Sequence, residues 1–141
     1  MIMETTQQID NNLFSVSEPY MNDRQLAYFK NKLIMQKMEL MEKVNLKKGK
    51  LKLLGESQAD IIDKSNTLAQ VEQDIRVYQR ETQLIRQIDD ALLRIEDGSF
   101  GYCQITGMEI GLRRLDIMPF TTMSIQALEQ IESGNPPHVH I

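Results

Sequence analysis

Asp60 and Asp63 stand three apart in the run Asp60-Ile61-Ile62-Asp63-Lys64-Ser65. On a helical turn that spacing puts both carboxylates on one side, where together they could approach a metal ion or a cationic loop. The plainer reading is that Asp63 caps a following helix and Asp60 is solvated. Lys43, Lys47, Lys48, Lys50 and Lys52 crowd the chain just before this run. They read as complement to a helix macrodipole and as a solvated coil surface, ahead of a nucleic-acid patch. Cys103 is the single cysteine, and the two histidines, His138 and His140, sit in the tail. A nucleophilic thiol needs an activating base, and His-x-His alone falls short of a closed zinc site. The sequence carries no triad, P-loop or dinucleotide fingerprint.

A fainter pattern surrounds the cysteine. Cys103-x-x-Thr106 and, 17 residues on, Ser124-x-x-Ala127 have the spacing of a four-cysteine zinc ribbon. One thiolate cannot hold structural zinc, so this region must be held by packing and no metal is expected. Ile105, Met108, Ile110, Leu112, Leu115, Ile117, Met118 and Phe120 are the available fillers.

The elements that must position these residues are helices. Asn22 is a good N-cap, Gln25 follows three residues later as in a capping box, and Met21 can staple to Leu26. Leu26, Phe29, Leu33, Leu40, Val44, Leu51 and Leu54 then recur as a heptad-type stripe. Gly49 is its weak point and Gly55 a candidate C-cap. A second helix carries Leu68, Val71, Ile75, Tyr78, Thr82, Ile85, Asp89 and Leu92 at alternating spacings of three and four. Thr82 and Asp89 are polar seam positions of the kind that fix register. Leu84, Ile88, Ala91 and Ile95 make a second apolar edge, and Gly98 closes the helix.

The expected fold is all-α: a long antiparallel coiled-coil hairpin, a small zinc-ribbon-like but metal-free globular base, and a C-terminal helix. Residues 1–20 read as a flexible arm ending at Pro19. Residues 21–97 read as the hairpin with its tip at 56–66, residues 98–133 as the base and last helix, and residues 134–141 as a mobile tail. In the last helix Thr121 or Thr122 would cap, Met123, Leu128 and Ile131 would face inward, and Gly134 would stop it. A first helix from Asp23 to Leu54 would be about 48 Å long, against a diameter of about 30 Å for a compact domain of this size. The arm would therefore project and carry Asp60 and Asp63 at its far end.

Composition narrows the function classes. The chain has 141 residues, 41% hydrophobic and 26% charged, with a net charge of −4. That charge argues against a broad grip on nucleic acid. A single cysteine excludes an internal disulfide and suits a reducing cytoplasm. No apolar run approaches the roughly 20 residues that span a bilayer, and residues 1–17 lack the features of a secretory signal. Nine methionines partly replace the sparse aromatics, and the expectation is that they fill gaps in the core.

Phe100-Gly101-Tyr102-Cys103, Gly107, Ile110-Gly111, Arg114-Leu115 and Pro119, with Tyr20-Met21-Asn22, Gln25-Leu26-Ala27 and Phe29 upstream, resemble the pattern of the DksA/TraR family of bacterial transcription regulators. The resemblance covers roughly residues 18–133. It implies a monomeric cytoplasmic protein that binds RNA polymerase at the rim of its secondary channel, without reading DNA sequence. Asp60, Asp63 and Ser65 match the acidic tip that reaches toward the catalytic centre. Arg80 and Arg114 match polymerase-docking positions. The implied outcome is stringent-response control of initiation at ribosomal RNA and amino-acid promoters. Three departures qualify this. Thr106, Ser124 and Ala127 replace zinc ligands, Ser65 replaces the usual alanine, and Gln87, Met118 and Leu128 stand where responsive members carry basic residues for ppGpp. A site stripped of cations binds an anion weakly, so ppGpp at the polymerase interface should act weakly here. The alternatives are a Gre-type transcript-cleavage factor, whose globular domain is larger and β-rich, a generic coiled-coil adaptor, and an enzyme using Cys103.

Overall fold

The computed structural model describes residues 18–56 and 67–134. They form four helices: α1 (Asp23–Glu56), α2 (Thr67–Asp97), α3 (Leu112–Ile117) and α4 (Ile125–Glu132). Among the described residues there is no strand, only an isolated antiparallel bridge between Tyr102 and Glu109. The arm up to residue 17, the tip at 57–66 and the tail from 135 lie outside the described residues, and with them Asp60, Asp63, Ser65, His138 and His140.

Helix α1 starts as its sequence predicts. The Gln25 amide donates to Asn22 Oδ1 at 2.9 Å, and the Asn22 amide donates back to Gln25 Oε1 at 3.2 Å. This reciprocal box satisfies two donors that a helix N-terminus otherwise leaves open. Helix α2 ends at Gly98, whose φ of 86° is a left-handed conformation. There the amides of Gly98, Ser99 and Phe100 all turn back onto the Arg94 carbonyl, a glycine-dependent stop.

The chain divides into two units, one spanning Ile34–Asp89 and the other comprising the described residues before and after it. The flanking unit has a close-packed core. Phe29, Leu33, Ala91, Phe100, Leu115 and Ala127 are buried, and the Phe29 and Phe100 rings lie 5.6 Å apart. Tyr20 ties the chain before α1 to the turns near Cys103. Its hydroxyl donates to the Gly101 carbonyl at 2.6 Å and accepts from the Gly111 amide at 3.1 Å. Gly101 has φ 95°, and an added Cβ would meet the end of the Met21 side chain at 2.5 Å. The left-handed φ is what favours glycine there, and a larger residue would also oblige the flexible Met21 side chain to move.

The Ile34–Asp89 unit is a two-helix section in which Val71, Tyr78, Thr82, Ile85 and Asp89 of the expected α2 stripe are half-buried, and two of the stripe's members are not. Leu68 and Ile75 are exposed, whereas Glu81 and Ile88 are buried. A stripe of apolar spacing cannot distinguish an exposed leucine from a seam residue when a nearby polar side chain has a partner across the pair. Thr82 is half-buried and donates to the Tyr78 carbonyl of its own helix.

Several expected fillers also turn outward. Met108, Ile117 and Met118 are exposed, as is Ile131 on α4. Helix α4 is capped not by Thr121 or Thr122 but by Ser124, whose hydroxyl accepts from the Ala127 amide at 3.2 Å. None of the seven described methionines is buried. The expectation that they fill the core is overturned.

Candidate functional site

The four degenerate ribbon positions do come together, all within the flanking unit. Cys103 lies on a turn whose amide donates to the Met108 carbonyl at 2.7 Å, while its own carbonyl accepts from Gly107 at 2.8 Å. The Gln104 amide reaches the Thr122 carbonyl at 2.9 Å, which brings the segment before α4 alongside. Burial raises the Cys103 thiol pKa. Hydrogen bonds from the Thr106 hydroxyl and from the Ser124, Thr106 and Ile105 amides outweigh that effect and hold it at about 6. Amide donors of this kind stabilise a thiolate.

Ser124 keeps its hydroxyl on the Ala127 amide, so this oxygen is already committed to the helix cap. The four positions offer one thiol, two hydroxyls and a methyl group. That donor set does not fit a structural zinc ion, which takes four nitrogen or sulfur ligands. Among the described residues no three His, Cys, Asp or Glu side chains gather as a metal site.

The two arginines expected to dock differ in character. Arg114 is half-buried, and its Nε donates to the Met123 carbonyl at 2.9 Å, so it braces the segment leading into α4. Arg80 is exposed on α2. Of the three positions at which the resemblance implies an altered anion site, Gln87 is exposed in the Ile34–Asp89 unit. Met118 is exposed and Leu128 half-buried in the flanking unit.

Sequence reasoning missed the ion pairs. Between α1 and α2, Lys37 meets Asp89 at 2.6 Å, Lys47 meets Glu81 at 2.8 Å, and Lys50 meets Asp74 at 3.1 Å. Lys47 and Lys50 therefore bind across the pair rather than simply solvating it; Lys43, Lys48 and Lys52 are exposed. The Lys50 ammonium holds the Asp74 carboxyl below the usual carboxylate range. All three lysines belong to α1 and all three acids to α2, which favours one antiparallel register over its neighbours. That segregation was the available signal. In the flanking unit, Asp116 accepts from Tyr28 and from Lys32, each at 2.6 Å. Burial raises the Asp116 pKa, but these two donors bring it below the ordinary value.

Comparison with known proteins places this arrangement. Residues 25–95 match the family model described as the N-terminal domain of DnaK suppressor protein DksA. The RNA polymerase-binding transcription factor DksA of Caulobacter vibrioides is 42% identical over 124 residues, 88% of this chain and 87% of that protein. The protein of the same name from Escherichia coli K12 is 32% identical over 77% of this chain and 72% of its own length. Among solved structures, transcription factor DksA2 from Pseudomonas aeruginosa superposes with a TM-score of 0.78 at 35% identity, covering 88% of this chain and 95% of that one.

Proposed function

The chain belongs to the DksA family, and on that premise we propose that it is a cytoplasmic, non-enzymatic transcription factor that binds RNA polymerase and modulates initiation. The observation that carries this reading is its 42% identity, across 88% of the chain, to a relative named for polymerase binding. Consistent with a protein working in solution, no helix among the described residues is long and apolar enough to cross a membrane.

The mode of action follows from charge. Asp60 and Asp63 are delivered into the secondary channel, where the cationic lining and the catalytic metal attract a negative tip. Arg80 and Arg114 assist docking, Arg114 by shaping the segment it braces as well as by its charge. The protein acts as a monomer and reads no DNA sequence. It holds no zinc: Cys103 serves as a hydrogen-bonded thiolate in a turn stabilised by packing. Gln87, Met118 and Leu128 provide no cation for ppGpp, so its synergy with the alarmone should be smaller than that of a zinc-bearing relative.

The test is co-purification of the full chain with core RNA polymerase, followed by incubation with backtracked complexes. Retention without rapid release of a short 3′ RNA fragment is expected. Fragment release at Gre-like rates would transfer the protein to the cleavage factors, and failure to be retained would end the polymerase reading.

A further inference from the structure

The fold sorts its sulfur atoms by access. Met35, Met38 and Met108 are 64%, 66% and 63% exposed, and Met41 and Met118 also stand in solvent. Met21 and Met123 are half-buried. Cys103 is only 2% exposed, and its sulfur is engaged by the Thr106 hydroxyl and by the amides of Ser124, Thr106 and Ile105. Met108 belongs to the same turn, since its carbonyl accepts from the Cys103 amide, yet its side chain lies outside. Intrinsic reactivity ranks these sulfurs the other way. A thiol held at about 6 is mostly ionised at neutral pH, and a thiolate is a stronger nucleophile toward an oxidant than a thioether. Access and reactivity are therefore opposed in this chain.

We propose that Met35, Met38 and Met108 are oxidative modification sites that take hypohalous acid ahead of Cys103, and that by consuming it they spare the buried sulfur. This class of oxidant attacks thioethers and thiolates alike so fast that access, not nucleophilicity, divides it between them. The thioether sulfur bonds the halogen of hypochlorous acid and hydroxide leaves. Water oxygen then bonds the sulfur, chloride leaves, and two protons are lost, one of them neutralising the hydroxide. The net change is thioether plus hypochlorous acid to sulfoxide, chloride and one proton; sulfur gives up two electrons and chlorine gains them. A sulfoxide is polar, and at side chains already in solvent it asks for no repacking. The modification is also reversible by sulfoxide reduction, whereas a thiol driven past the sulfenic stage is not readily recovered.

The test titrates the full chain with hypochlorous acid and reads each sulfur by peptide mass spectrometry, with the remaining thiol alkylated after unfolding. At the dose that oxidises half of Met38, Met35 and Met108 should be oxidised to within twofold of it, and less than a tenth of Cys103 should be lost. Helical circular dichroism should be unchanged at that dose. In concentrated urea the order should reverse, Cys103 disappearing before any methionine. The variant Met35→Leu/Met38→Leu/Met108→Leu keeps apolar side chains at these positions and should lose Cys103 at a dose at least twofold lower than the wild type. Loss of Cys103 together with or before Met38 in the folded chain would overturn the proposal. So would sparing of Cys103 in urea, which would show that burial is not the cause. An unchanged dose for the leucine variant would overturn the protective role.

Discussion

Between Ile34 and Asp89 the only buried described residues are Glu81 and Ile88, whereas the flanking unit buries Phe29, Leu33, Phe100, Leu115, Ala127 and several polar groups. One region is held by close packing and a dense set of turn hydrogen bonds. The other is a pair of helices that half-bury their seam and join through three lysine–carboxylate pairs. A two-helix section has little interior, so specific pairing takes over the task of fixing register that a core performs elsewhere. The expected consequence is unequal local stability. Amide exchange in Ile34–Asp89 should open at lower free energy than exchange around Phe29 and Phe100.

The largest effect should come from the packed region. Phe29→Ala removes a fully buried ring and should cost about 3–5 kcal/mol by urea denaturation. A loss below 1 kcal/mol would mean that the core is not where burial places it. Cys103→Ala comes next, at roughly 1–3 kcal/mol, since it leaves amide and hydroxyl donors facing a methyl group. This loss should depend on pH. The folded thiol sits at about 6 against an ordinary 9.0. Its ionised form therefore contributes fully above pH 9, and that contribution is lost as pH falls through about 6. A wild-type-minus-variant difference that stayed constant from pH 6 to 9 would contradict the thiolate assignment.

In the two-helix region, Lys47→Met should cost roughly 1–3 kcal/mol because it leaves the buried Glu81 carboxylate without its partner. Lys47→Met/Glu81→Leu should recover most of that loss, as paired apolar replacement of a desolvated ion pair commonly does. A double variant as unstable as the single would show that the pair's geometry, not the orphaned charge, matters. The smallest effect should be a gain. Gly49 lies inside α1 with nothing within 4 Å of an added Cβ, so Gly49→Ala should stabilise by about 1 kcal/mol, read as a raised melting temperature.

What could be read from the chain divides along the same line. The capping box at Asn22 and Gln25, the glycine stop at Gly98 and the two long helices depend on neighbours three or four residues apart, and local spacing reveals them. The family motifs around Cys103 are local as well, and their positions do converge. Orientation in space was less accessible. Leu68 and Ile75 have seam-like spacing yet face solvent, while Asp74 and Glu81 face α1 because lysines wait across the pair. Thr121 and Thr122 are sound caps by type, but the turn from Met118 to Ser124 places Ser124 at the helix start. The methionines mislead most: their hydrophobicity points inward, and only a packed structure shows Met35, Met38 and Met41 outside. Asp60 and Asp63 lie outside the described residues, and the tip they would form is an expectation from spacing and resemblance.

The decisive measurement is the lifetime of open complexes formed by RNA polymerase at a ribosomal RNA promoter, with the wild-type chain and with Asp60→Asn/Asp63→Asn at concentrations that saturate binding. The wild type should shorten that lifetime several-fold, and the neutralised variant should bind yet leave it near the factor-free value. A variant that destabilises the complexes as strongly as the wild type would contradict an acidic tip acting in the channel.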